Sequence, residues 1–243
     1  MCFDSDSSPP VPVIRGAAVS HEELTLEAAD GNSFAAFFAA PEDPAAVGVV
    51  ILPDVRGLYR FYEELALRFA ERGIAALAFD YFGRTAGASK RAEDFEYMPH
   101  DQHTTTETVQ ADVAAAIAYV RERGAGSVFT VGFCFGGRQS WIAAADQKGL
   151  AGAVGFYGRP AEPTERAPEL KAPILALQAG ADQNIGAEDN AAFAAALEAA
   201  GVEHELVTYE GAPHSFFDRK QEEFQSASDD AWAKTLAFIA AKS

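Results

Sequence analysis

Cys134, Asp182 and His214 occur in that chain order, each just beyond a short apolar run. Thiol, carboxylate and imidazole are the groups of nucleophilic acyl transfer: one attacks, one carries protons, one orients the carrier. A free cysteine alone could be no more than a small buried apolar side chain. Here, however, the surroundings are Gly132-Phe133-Cys134-Phe135-Gly136-Gly137. Glycines at that spacing admit a sharp strand-to-helix turn that presents a nucleophile, with cysteine where serine is usual. The following helix N-terminus would favour thiolate.

Of the five histidines, only His204 and His214 follow the cysteine. His204 lies inside the alternating HELVTYE and reads as a surface strand residue. His214, in EGAPHSFF, stands just past that strand and is the candidate base. Asp182 in QAGADQN directly follows an apolar run, whereas Asp189 opens a helix and Asp218 comes after the histidine. Asp182 is therefore the candidate acid. Backbone N–H groups of Phe135 and of Val55 are candidate oxyanion donors. His100 and His103 form a His-x-x-His pair in a polar loop. No further ligands stand at suitable spacing, so neither a metal nor a cofactor is expected.

These residues need elements to hold them. Runs 47–52, 74–80, 127–133, 150–158 and 172–180 are short and continuously apolar, as in strands buried on both faces. Residues 204–210 alternate, and 21–40 read as a hairpin about Asp30-Gly31-Asn32. Helical patterns cover 62–73, 107–124, the stretch after Gly137, 188–201 and about 226–241. Residues 82–106 read as one long polar loop. Strands alternating with helices predict an α/β fold: a mostly parallel sheet with helices on both faces, in a single domain over 13–243. In such sheets the chemistry sits beyond the carboxyl ends of the strands. Residues 1–12 are expected to be a flexible tail.

The formal net charge is −17 over 243 residues, which argues against nucleic acid and anionic membrane surfaces as partners. A small anionic substrate stays open, because one or two local arginines suffice. Two cysteines make no disulfide framework, so a cytoplasmic setting is expected, with Cys2 a bystander. The start shows no signal-peptide pattern, and no apolar run of spanning length occurs. A monomer or weak homo-oligomer is expected.

From about residue 21 to its end, the chain resembles the dienelactone hydrolase family. The elbow Gly132–Gly137, the acid motif Gly180-Ala181-Asp182 and the histidine motif Pro213-His214-Ser215-Phe216 carry the resemblance. It implies an α/β-hydrolase fold and a Cys-His-Asp triad that cleaves lactones or esters through a thioester. It further implies that Asp54, where the family has glutamate, activates the thiol, and that Arg84 in Asp80-Tyr81-Phe82-Gly83-Arg84 binds a substrate carboxylate. The family's second carboxylate-binding arginine falls at Asp218, with Arg219 one residue later. Tyr59, Phe82, Tyr157 and Phe216 are expected to contact substrate; Tyr97 and Phe135 are further aromatic candidates, and Phe133 reads as core. The alternatives are a broad carboxylesterase or thioesterase, with aryl phosphotriesters as an accidental substrate, and a non-catalytic ligand-binding protein.

Overall fold

The computed structural model describes residues 4, 6–92 and 94–243; Cys2 lies outside them. Among the described residues the strands are β1 (Val19–Glu27), β2 (Ser33–Pro41), β3 (Val47–Leu52), β4 (Ala75–Phe79), β5 (Ser127–Phe133), β6 (Gly152–Phe156), β7 (Ile174–Ala179) and β8 (His204–Tyr209). They form one sheet in the order β1-β2-β4-β3-β5-β6-β7-β8. The two pairings at the β1 end are antiparallel, and β4 to β8 run parallel. The hairpin forms in register Glu27↔Ser33, and the five apolar runs and the alternating stretch 204–210 match β3 to β8 to within two residues.

Helices α1 (Arg60–Ala70), α2 (Gly83–Ala86), α3 (Met98–Asp101), α4 (Thr106–Glu122), α5 (Phe135–Asp146), α6 (Ala161–Glu165), α7 (Ala187–Ala199) and α8 (Gln225–Lys242) complete the chain. Strand alternation divides the core into two layers. Val49 and Ile51 of β3 pack with Phe61 and Leu65 of α1 and with Trp232 of α8. Val50 and Leu52 point the other way, towards Val113 of α4, Trp141 of α5 and Phe193 of α7. Continuous apolar runs were needed because both faces are covered.

Two expectations are corrected. The polar loop 82–106 contains two helices, α2 and α3, each only four residues long. One turn is too short to show a helical apolar period. Of the expected tail 1–12, residues 7–11 also pack on the body. Val11 is in the core, and Ser7 Oγ donates to buried Asp218 Oδ2 at 2.6 Å. Polar, proline-bearing composition suggested a loose tail, but buried polar partners far along the chain hold it.

Candidate active site

The carboxyl ends of β3, β5, β6, β7 and β8 bring Val55, Cys134, Tyr157, Asp182 and His214 to one edge of the sheet. Cys134 joins β5 to α5 with φ 54° and ψ −113°, a left-handed conformation that side chains seldom adopt. The turn closes only because its neighbours lack side chains. A Cβ on Gly132 would lie 1.9 Å from Gly136 O, and one on Gly136 would lie 2.1 Å from Leu52 O. Cys134 N donates to Phe156 O at 3.0 Å, so β6 holds the turn from the side. Cys134 is partly exposed. Phe135 opens α5, and its N–H therefore has no carbonyl partner within that helix.

The side chain of Asp182 is buried and accepts from His214 Nδ1 at 2.5 Å through Oδ2 and from Asn184 N at 2.9 Å through Oδ1. Burial alone would raise its pKa. The bonds from His214 and from the backbone N–H groups outweigh that and leave it below the ordinary carboxylate value. Burial likewise works against charge on His214, but hydrogen bonds to Asp182 and Cys134 carry its pKa up to about 9. The imidazole thus sits between acid and thiol, an arrangement that favours its charged form.

A cavity of about 480 Å³ opens over this edge, lined by Val55, Cys134, Phe135, Tyr157 and His214. Tyr97, Asp101, Arg138, Arg159, Asn184 and Ile185 complete the lining. Arg138 and Arg159 escaped the sequence reading, although both carried a signal. Arg138 stands one helical turn beyond Cys134, and Arg159 follows the end of β6, where chemistry is sought. Arg138 approaches Glu162 only to 3.9 Å, and its Nε is buried without a hydrogen-bond partner.

Several expected contacts lie elsewhere. Arg84 is not in the cavity: it pairs with buried Asp112 at 2.8 Å and with Asp30 at 2.7 Å, tying the β1–β2 turn to α4. Arg219 holds the N-terminal segment, its N–H donating to Ser8 O at 3.0 Å and its guanidinium to Pro9 O. Phe82 is buried against Phe95 and His100, and Phe216 is buried against Tyr157 and Tyr209. Phe133 is likewise core. Tyr59 lines a neighbouring cleft of about 230 Å³ with Arg56, Lys90 and Arg91. Asp54 is wholly buried and accepts from Arg56 N at 2.8 Å, from the Arg56 guanidinium at 3.2 Å and from Tyr59 O–H at 3.0 Å. Among the described residues, no group of three His, Cys, Asp or Glu side chains could hold a metal ion, and His100 stacks on Phe95.

The profile of the dienelactone hydrolase family matches residues 34–243. The chain belongs to the dienelactone hydrolase family. Its relatives include proteins named carboxymethylenebutenolidase. One from Salmonella typhi is 27% identical, covering 89% of this chain and 86% of the relative; one from Saccharolobus solfataricus is 28% identical, covering 86% and 95%. Among solved structures, a dienelactone hydrolase homologue from Klebsiella pneumoniae aligns with TM-score 0.81 at 24% identity, over 92% of this chain and 99% of that one. A dienelactone hydrolase-like promiscuous phosphotriesterase from metagenomic libraries aligns with TM-score 0.77 at 22% identity, over 93% and 99%. This dienelactone hydrolase family member is thus an α/β hydrolase acting on ester bonds. Among its described residues, no helix is long and apolar enough to cross a membrane.

Proposed function

We propose that this family member cleaves small lactones or carboxylic esters by covalent catalysis at Cys134, with His214 and Asp182 completing a triad. The observation that carries the reading is the bridging position of His214, bonded to Asp182 on one side and Cys134 on the other. The Cys134 thiolate attacks the carbonyl carbon, and the oxyanion is received by the N–H groups of Phe135 and Val55. Each such donor is typically worth about 3 kcal/mol in the transition state. The C–O bond then breaks, and charged His214 gives its proton to the leaving oxygen. A lactone keeps that alcohol tethered; an open ester releases it. Water next attacks the thioester carbonyl, neutral His214 accepts its proton, and the C–S bond breaks to return the thiolate. Asp182 keeps the imidazole in the productive tautomer throughout.

Asp54 bears on thiol activation through its loop: its carboxylate is saturated by Arg56 and Tyr59, so a direct role requires that set to open. A second reading, a broad esterase with accidental activity on aryl phosphotriesters, draws support from Arg84. That arginine is engaged by Asp30 and Asp112, so the carboxylate contact implied by the family resemblance is not available there.

The deciding experiment is steady-state hydrolysis of dienelactone beside p-nitrophenyl butyrate, for the wild type and Cys134→Ala. Loss of both activities in the variant is expected; wild-type turnover in a folded Cys134→Ala would sink the triad. Preference for dienelactone supports the lactonase reading, and preference for the neutral ester moves the assignment to the broad esterase.

A further inference from the structure

The turn that follows β6 touches both halves of the candidate machinery. Phe156 O accepts from Cys134 N at 3.0 Å. Tyr157, the next residue, is fully buried with φ 37°, and its ring packs on the His214 imidazole at 4.9 Å between centroids. Gly158 lies against the first turn of α5: a Cβ there would stand 2.7 Å from Arg138 N and 2.8 Å from Gly137 C. A tyrosine in the left-handed region persists only where its surroundings over-determine it. Here Tyr157 N donates to Leu177 O at 2.8 Å. Buried Gln178 donates its side-chain amide to Gly158 O at 3.0 Å and to Asn190 Oδ1 at 2.8 Å, tying the turn to β7 and α7.

We propose that the Tyr157–Gly158 turn, clamped by Gln178, is a positioning element that sets how His214 meets Cys134. It rests on reading those two residues as base and nucleophile. The ring packs against one side of the imidazole, tilted 56° to it, and its π-electrons are expected to favour the charged form. The clamp transmits the positions of β7 and α7 to the elbow helix. Other groups facing His214 are Asp182 and Cys134; Asp101, Arg138 and Arg159 line the same cavity. None of them is altered by the variants below.

The test compares Tyr157→Leu, Tyr157→Phe and Gln178→Met, with NMR titration of the His214 imidazole and steady-state kinetics. Tyr157→Leu is expected to lower the imidazole midpoint by about 0.5 pH unit, while Tyr157→Phe, which keeps the ring, holds it. Gln178→Met, similar in shape but without the amide donor, is expected to lose ~10-fold in kcat with KM within about twofold. Folded Tyr157→Leu and Gln178→Met with wild-type titration and kcat would overturn the proposal. Should a variant not fold, the wild-type enzyme gives the reading: a nuclear Overhauser contact between the Tyr157 and His214 rings must persist from pH 7 to 10, and its absence overturns the proposal. Cys134→Ala separates the two readings. If it is inactive and the turn variants behave as wild type, the triad stands and only the positioning role fails.

Discussion

His214 Nδ1 stands 2.5 Å from Asp182 Oδ2, and the two groups depart from their ordinary pKa values in opposite directions. The imidazole stays charged in the fold to about pH 9, against 6.5 in an unfolded chain. Its contribution to stability is therefore fully present below pH 6.5 and is lost as pH rises through about 9. The lowered Asp182 contributes above its ordinary range, and that contribution is lost as pH falls through its folded value. Thermal melts of the wild type and His214→Asn should differ most near pH 6 and converge by pH 10. A gap independent of pH would refute the linkage. At pH 6, iodoacetamide should also label Cys134 roughly 10-fold more slowly in His214→Asn, because the thiolate loses its charged partner.

Arg84 stabilises the fold in this structure. Removing it leaves Asp112, wholly buried, without its countercharge. Arg84→Met should cost about 3 kcal/mol in urea unfolding. The KM ratio between an anionic and a neutral ester should not change. A selective rise in KM for the anionic ester at full stability would restore Arg84 to substrate binding.

Arg159 is exposed on the rim of the Cys134 cavity, and Arg138 lies deeper in the same wall. An anionic substituent that reached this wall would meet the two guanidiniums. Arg159→Ala should raise KM for an anionic ester roughly fivefold while leaving kcat and the neutral ester within about twofold. Equal effects on both esters would remove the arginine from charge recognition.

The elbow is unforgiving of a methyl group. In Gly136→Ala the new Cβ would meet Leu52 O at 2.1 Å and Pro53 O at 2.3 Å, both backbone atoms. The clash must displace α5 or the β3 loop, which carry the two expected oxyanion donors. Activity should fall at least ~100-fold in whatever folds, since small displacements at a reacting centre are costly. Normal kcat in the variant would contradict the crowding.

The parts of the site that could be read in the chain are those governed by local rules. Gly132 and Gly136 flank Cys134 because a tight turn excludes side chains, and that requirement is visible in seven residues. Asp182 and His214 are candidates reached by following strand ends, and the sheet places both beyond the carboxyl ends of β7 and β8. Arg84 and Phe82, expected at the substrate, lie outside the lining of the Cys134 cavity for the opposite reason. Their roles depend on which groups fold beside them: Asp112 stands 28 residues beyond Arg84, and Asp30 stands 54 residues before it.

Order along the chain thus determined the fold class, the sheet's apolar strands and the order of cysteine, acid and histidine, since periodicity and turn chemistry act over a few residues. Only the tertiary structure decided which charges are consumed by buried partners and which face the cavity. A guanidinium of given type binds whichever carboxylate the fold delivers to it. That pairing engages Arg84 outside the cavity, a backbone carbonyl of the N-terminal segment engages Arg219, and Arg138 and Arg159 are left lining the cavity that holds Cys134.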